Sequence, residues 1–256
     1  MSSHVLEHVL YRIANTPIRT HPFPHFYVRD VFPDDFYREV RHHLPPFEAY
    51  RNLKKMGRVS ADYPDTRMVF PVTPQNVTDL GEPFATFWTW VANQFLTGGF
   101  MERMLSHFEP FLARRWRGAT GLEFQDEALI VRDGSQYELE PHTDSLKKVL
   151  SFLFYLPPDD SMAQLGTSIY APKEADFVCT KGMHYPFDRF HRITTLPYLP
   201  NALFAFVKTS NSFHGVEPIT ESGICRDLLL YDIKVQNPPE LQPTAHSQGA
   251  AARFTF

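Results

Sequence analysis

The spacing of apolar side chains changes near residue 122. Before it, apolar residues recur at helical intervals. Pro33, Asp34 and Asp35 precede one such run, which predicts a capped helix of about three turns over residues 34–44. A second run predicts one or two packing helices between Phe84 and Ala113, and residues 67–72 predict a short strand. The first half of the chain is therefore expected to be mainly helical.

After residue 122 the pattern becomes that of β-strands. Five short runs rich in branched and aromatic residues are separated by Pro, Gly, Asn and Asp, as is typical of a barrel or sandwich. The long segment between Tyr170 and Pro200 lies between two of them, and we interpret it as a lid. The five predicted strands cover residues 127–132, 149–156, 166–170, 202–207 and 226–233.

Composition and charge narrow the class of protein. The chain has 256 residues and a net charge of −4, without a block of like charges, which argues against binding to nucleic acid or to an anionic membrane. No apolar run is long enough for a membrane span. Two cysteines, Cys179 and Cys225, form neither a disulfide framework nor a metal-binding spacing. We therefore expect a cytoplasmic protein.

Candidate chemistry is concentrated in Pro141-His142-Thr143-Asp144. In an extended strand, His142 and Asp144 project from the same face and can share one metal ion. Chance alone yields ~0.7 such triplets in a chain of this composition, so the triplet needs further support. His214 follows the predicted strand 202–207, which can return it beside His142. Arg226 then begins the next predicted strand, pointing into the same cavity.

These residue types suit a metal ion with an anionic ligand. Two imidazoles and one carboxylate occupy one face of an octahedral ion and leave three positions open, enough for a bidentate 2-oxo acid and O2. The same three ligands also suit zinc. Arg226 favours the first alternative, because a permanently charged guanidinium inside a barrel needs an anion beside it.

The pattern resembles the Fe(II)- and 2-oxoglutarate-dependent dioxygenases, in their prolyl-4-hydroxylase-like branch. Their signature is H-x-D, a long gap, a second His, and a basic residue about ten positions later. The resemblance covers residues 124–236; Asn201 stands where the family usually has Gly, and Gly166-Thr167 retains part of a Gly-Gly turn. It implies an α+β fold with a double-stranded β-helix, or jelly roll, of about eight strands beneath an N-terminal helical layer.

The resemblance also implies roles for individual residues. His142, Asp144 and His214 would be the catalytic iron ligands, and Arg226 would bind 2-oxoglutarate. Tyr155 would be a second contact to that cofactor, although it is equally explained as a packed strand aromatic. Fe(II), 2-oxoglutarate and O2 would be the cofactors. The implied reaction is hydroxylation of a small molecule or an amino-acid residue, with release of succinate and CO2.

Alternatives remain open at this stage. Arg226 can instead form a structural ion pair with Asp227, Glu221 or Glu217. The triad also fits a cupin-like metalloenzyme with non-oxidative chemistry, and the fold alone fits a non-catalytic binding module. We expect a single domain, with an N-terminal elaboration over residues 1–121, the catalytic core over 122–236 and a tail over 237–256. The sequence names neither the substrate nor the oligomeric state.

Overall fold

The computed structural model describes residues 4–57, 59, 63, 65–116, 119–236 and 238. Its helices are α1 (His4–Ala14), α2 (Asp34–His42), α3 (Pro74–Asp79), α4 (Phe84–Phe95), α5 (Gly99–His107) and α6 (Glu109–Arg115). Its strands are β1 (His25–Val28), β2 (Arg51–Asn52), β3 (Arg67–Pro71), β4 (Phe124–Gly134), β5 (Leu139–His142), β6 (Lys148–Tyr155), β7 (Thr167–Pro172), β8 (Phe190–Leu196), β9 (Ala202–Val207), β10 (His214–Val216) and β11 (Cys225–Val235).

The strands form two antiparallel sheets. The larger has the order β1-β9-β6-β11-β4-β3-β2, and the smaller has the order β5-β10-β7-β8. Residues from both sheets meet in one hydrophobic cluster that includes Leu129 of β4, Ile169 of β7, Phe204 of β9 and Val216 of β10. The expected jelly-roll core is therefore confirmed, and all five predicted strands are present.

The helices cover the opposite face of the larger sheet. Side chains alternate along β6, so Phe152 and Phe154 pack in the cluster that contains the helices, whereas Tyr155 packs between the sheets. Trp88 of α4 is fully buried in the helical cluster. The expected helical layer is therefore confirmed. Among the described residues, no helix combines the length and the apolar character needed to cross a membrane.

Several local expectations need correction. The segment from Phe84 to Ala113 holds three helices instead of one or two, because the chain turns at Gly98 and again at Phe108. The described core has the expected eight strands, β4 to β11, and the N-terminal part adds β1, β2 and β3 to the larger sheet. The predicted tail 237–256 lies outside the described residues, except for residue 238.

Asn201, which stands where the resembled family usually has Gly, takes the left-handed backbone conformation, with φ of 56°. Its side-chain oxygen accepts a hydrogen bond from the backbone N–H of Phe32, and its side-chain nitrogen donates to the Phe32 carbonyl. This turn thereby joins the start of β9 to the chain ahead of α2.

Candidate metal centre

Two histidines face each other across neighbouring strands of the smaller sheet. His142 is the last residue of β5, His214 is the first of β10, and the antiparallel register pairs them directly. Their ring centroids are 4.4 Å apart, and both side chains are buried. The turn that follows β9 returns the chain to β5, as the sequence predicted, so residues far apart in sequence lie side by side.

Asp144 completes the group from a loop. The sequence placed it with His142 on one strand face, but β5 ends at His142, and Asp144 lies beyond the strand. Its Oδ2 accepts a hydrogen bond of 2.8 Å from Ser151 Oγ on β6. One ligand atom from each of His142, Asp144 and His214 lies within 4.8 Å of the others. Three predicted residues therefore converge on one point.

Backbone carbonyls fix the orientation of both imidazoles. Nδ1 of His142 lies 2.9 Å from the Glu140 carbonyl oxygen, and Nδ1 of His214 lies 3.0 Å from that of Ser212. Because a carbonyl only accepts, each Nδ1 carries the proton and each Nε2 presents its lone pair. Burial lowers the pKa of both histidines, that of His142 well below its ordinary value. Both rings are therefore neutral, as a metal ligand requires.

The carboxylate of Asp144 is held in its charged form. Burial by itself raises its pKa, but the charge of Lys148 and the hydrogen bond from Ser151 act in the opposite direction, and the net pKa lies below the ordinary value. Lys148 Nζ lies 3.3 Å from Asp144 Oδ1 and 3.0 Å from Asp232 Oδ2 on β11. The three ligands thus offer two neutral nitrogens and one anionic oxygen.

The triad opens into a cavity of about 700 Å³ between the two sheets. Its wall contains both polar side chains and apolar ones, such as Leu153, Phe206 and Leu230. A cavity of this volume accommodates a small dicarboxylate together with a further molecule. The charged side chains in its wall are Arg67, Glu140, Asp144, Lys148, Arg226, Asp232 and Lys234.

Arg226 also lines this cavity, at the start of β11, and is fully buried. Its Nη1 donates to Asp133 Oδ2 at 2.8 Å, its Nε to the Leu165 carbonyl at 2.7 Å and its Nη2 to Thr167 Oγ1 at 3.2 Å. None of the three acids considered from the sequence is its partner. The sequence alone could not identify Asp133 as the partner, because Asp133 lies opposite Arg226 only through the pairing of β4 with β11.

Tyr155 lies beside Arg226 but outside the cavity wall. Its hydroxyl oxygen accepts a hydrogen bond of 3.2 Å from the backbone N–H of Thr167. The Arg226 guanidinium carbon is 5.7 Å from the centre of the Tyr155 ring. Tyr155 packs with Tyr198 as a core aromatic, and its hydroxyl points towards the Thr167 region, where Arg226 also donates.

The predicted lid is in large part a fixed wall of the site. Residues 190–196 form strand β8 on the smaller sheet, a strand that the sequence analysis missed. The preceding loop is fastened to the triad, because Tyr185 N donates to the Pro141 carbonyl and Cys179 O accepts from Thr143 Oγ1. His184 stands 4.6 Å from His142, measured between ring centroids.

Gly182 allows this loop to approach the triad closely. It has φ of 71°, and a Cβ at this position would lie 3.1 Å from the backbone nitrogen of Ser145. Met183 and His184 follow it into the cavity wall. From the sequence, all three residues were placed only within the segment between Tyr170 and Pro200.

Two cations that the sequence does not single out, the partly buried Arg115 and the fully buried Lys208, hold the loop that carries Asp144. Arg115 of α6 donates to the carbonyls of Leu146 and Lys148. Lys208 donates to Thr143 Oγ1 at 2.7 Å and to the Thr209 carbonyl at 2.9 Å. Thr143 lies between two of the three candidate ligands, so Lys208 fixes the loop at its centre.

Lys208 predicts a specific dependence of stability on pH. Burial lowers its pKa from 10.5 to about 8, so between these values the unfolded chain binds more protons than the folded one. Stability therefore rises with pH through this window, by about 3 kcal/mol for this group. Urea unfolding at pH 7.5 and pH 10 should show that the wild type gains most of this increment, about 2 kcal/mol, relative to Lys208→Met. Equal differences between the two proteins at both pH values would contradict the prediction.

Comparison with known proteins found solved structures that are similar to this chain. No family model and no curated protein sequence matches the chain. A prolyl-4-hydroxylase from Pseudomonas putida is 16% identical, over 90% of this chain and 98% of that chain, with a TM-score of 0.46. A prolyl hydroxylase from Trichoplax adhaerens, solved with a peptide of hypoxia inducible factor, is 11% identical over 90% and 88%, with a TM-score of 0.48.

A third similar structure is HygX from Streptomyces hygroscopicus, solved with nickel and 2-oxoglutarate. It is 12% identical, over 91% of this chain and 87% of that chain, with a TM-score of 0.44. These structures belong to the class of oxygenase that the sequence motif resembles. At such identities and TM-scores, the function of this chain has to be argued from its own residues.

Proposed function

We propose that this protein is a non-haem Fe(II)- and 2-oxoglutarate-dependent dioxygenase. The observation that carries the proposal is the convergence of His142, Asp144 and His214, whose ligand atoms lie within 4.8 Å of one another in the wall of a large cavity. Two neutral imidazoles and one carboxylate with neighbouring open positions are the ligand set of non-haem Fe(II) oxygenases.

The donor atoms fit such an ion. Nδ1 of each histidine is occupied by a backbone carbonyl, so only Nε2 remains for coordination. Ser151 holds one oxygen of Asp144 and Lys148 lies beside the other, which limits the rotation of the carboxylate. The same ligands suit zinc, and the anion site in the cavity is what favours iron with a 2-oxo acid.

Arg226 contributes a guanidinium to that anion site, although it also pairs with Asp133. A buried guanidinium presents five N–H donors in a fixed fork, a shape that matches a carboxylate. Thr167 lies beside it in the cavity wall, and its hydroxyl can donate to the same carboxylate. In this assignment Arg226 binds the far carboxylate of 2-oxoglutarate and Thr167 orients it. Tyr155 lies outside the cavity wall and positions Thr167, whose backbone N–H donates to the Tyr155 hydroxyl oxygen.

The bound metal would supply the activation of O2 and the oxidation of a substrate C–H bond, with conversion of 2-oxoglutarate to succinate and CO2. The chain's own residues orient the reactants and exclude water. Leu153, Phe206 and Leu230 keep the interior of the cavity apolar, and the fixed loop with Met183 and His184 bounds it beside the triad. We propose hydroxylation as the outcome, on a small molecule or an amino-acid residue.

An anaerobic titration tests the assignment directly. Protein stripped of metal should develop a visible metal-to-ligand charge-transfer band only when both Fe(II) and 2-oxoglutarate are added. Addition of air and substrate should then release succinate in proportion to 2-oxoglutarate consumed. Metal binding without the band and without succinate would contradict the proposal and favour a cupin-like metalloenzyme; absence of metal binding would favour a binding module.

A further inference from the structure

Arg132 and Asp133, neighbours on β4, each take part in an Arg–Asp ion pair, and the two pairs lie on opposite faces of the larger sheet. On one face, Arg132 donates from Nε and Nη2 to the two carboxylate oxygens of Asp227, at 2.7 and 3.0 Å. On the other, Arg67 of β3 makes the same two-fold contact with Asp133, at 2.6 and 2.8 Å. Because the two pairs have similar geometry, a difference in their surroundings indicates what distinguishes the pair beside the cavity from the other one.

The surroundings differ in one respect. Arg132 and Asp227 form a neutral pair, and neither lines the cavity. Asp133 accepts from a second guanidinium as well, because Arg226 Nη1 donates to the same Oδ2 that Arg67 Nη2 contacts. Among the residues that the structure describes, two cations therefore share one carboxylate, and this cluster of three side chains carries one positive charge in excess. Such an excess inside a protein requires an anion nearby.

The geometry of the cluster shows where that anion would bind. Arg67 and Arg226 both line the cavity, whereas Asp133 lies behind them and does not. Arg226 has one terminal N–H left after its three hydrogen bonds and its further contact with the Tyr155 hydroxyl. Arg67 likewise keeps donors after its bonds to Asp133 and to the Tyr63 hydroxyl. The free N–H groups of two guanidiniums are thus available at one wall.

Aromatic faces hold both guanidiniums in place. The Arg67 guanidinium carbon lies 4.5 Å from the centre of the Tyr137 ring, and that of Arg226 lies 5.2 Å from the centre of the Tyr198 ring. Both tyrosines are fully buried. The donors are therefore preorganised, so an incoming carboxylate would not have to order them.

We propose that Arg67 and Arg226 together bind the far carboxylate of the 2-oxo acid, with Asp133 holding the two guanidiniums side by side. This rests on the proposed function and extends it to a residue of the N-terminal region, which lies outside the H-x-D…H…Arg pattern. Arg226 alone would be neutralised by Asp133. Arg67 restores the positive charge that a carboxylate needs.

The experiment compares two 2-oxo acids of equal chain length. 2-Oxoglutarate has the far carboxylate, and 2-oxopentanoate has a methyl group in its place. Both are titrated anaerobically into Co(II)-loaded protein and followed by calorimetry, for the wild type, Arg67→Met, Arg67→Lys, Arg226→Met and Arg132→Met. The measured quantity is the ratio of the two affinities, which a general loss of stability does not change.

The wild type should prefer 2-oxoglutarate, and Arg67→Met should reduce the preference by about tenfold, as expected for loss of one charged hydrogen-bond donor. Arg67→Lys keeps the positive charge but loses the forked guanidinium, so its preference for 2-oxoglutarate should lie between those of the wild type and Arg67→Met. Arg132→Met removes the matched ion pair outside the cavity and should leave the ratio unchanged.

The possible failures are distinct. If Arg226→Met loses the preference and Arg67→Met keeps it, Arg67 is structural and this inference is overturned, while the proposed function stands. If Arg67→Met does not fold, an unchanged ratio in Arg67→Lys overturns the inference. If the wild type binds Co(II) but shows no preference between the two acids, the assignment of 2-oxoglutarate as cofactor fails as well.

Discussion

His142→Ala is expected to lower the affinity for Fe(II) or Co(II) by more than about a hundredfold. Loss of a residue that only orients a ligand already costs about 10- to 100-fold in metal proteins, and His142 would itself supply one of three protein ligands. Equilibrium dialysis against Co(II), together with the visible spectrum of the bound ion, measures the loss. Release of succinate should become undetectable.

His25→Ala is the matched control. His25 is also a buried histidine whose Nδ1 contacts a backbone carbonyl, that of Phe23 at 2.8 Å, but it lies outside the cavity wall. This variant should lose stability and keep the metal affinity of the wild type. A His142→Ala protein that binds metal as tightly as His25→Ala would refute the ligand assignment.

Gly215→Ala is expected to destabilise the protein by about 3 kcal/mol, the upper range for overpacking a well-packed site. A Cβ at residue 215 would lie 2.4 Å from the Leu139 carbonyl oxygen, closer than any contact real side chains make, so β10 would have to move away from β5. His214 is the preceding residue and would move with it. We therefore expect a lower metal affinity as well as a lower midpoint of urea unfolding.

Gly99→Ala provides the comparison for the same chemical change. Gly99 begins α5, and nothing lies within 4 Å of a Cβ placed there. Alanine is a better helix former than glycine, so this variant should be as stable as the wild type or slightly more stable. Equal unfolding midpoints for Gly215→Ala and Gly99→Ala would show that β5 and β10 do not approach each other as described.

The parts of the site that were predictable from sequence are those with local signals. Apolar runs predict five of the core strands, His142 and Asp144 belong to one H-x-D triplet, and His214 follows the predicted strand 202–207. The partner of Arg226, Asp133, has no local signal in the sequence. Asp133 is adjacent to Arg226 only because β4 pairs with β11, so that Arg226 lies opposite Asp133 in the register. Cross-strand neighbours of this kind depend on strand order, which the hydrophobic pattern does not contain.

Two further residues were unpredictable for a related reason. Arg67 reaches the cavity because β3 pairs with β4 in the larger sheet; the sequence predicts a strand over residues 67–72 but not which strand it pairs with. Lys208 follows a predicted strand and looks like an exposed turn residue, yet the fold buries it completely beneath the loop that carries Asp144. Long-range packing, and not local propensity, gives these cations their positions.

The direct pairing of His142 with His214 has a consequence for how the smaller sheet unfolds. β10 has only three residues, so a metal ion held by both histidines would join it to β5 as a cross-link. A ligand at a hundred times its dissociation constant stabilises the folded state by about 2.7 kcal/mol. Metal-free protein should therefore exchange the amide hydrogens of β5 and β10 sooner than those of β6 and β11, and loading should slow that exchange most strongly in these two strands.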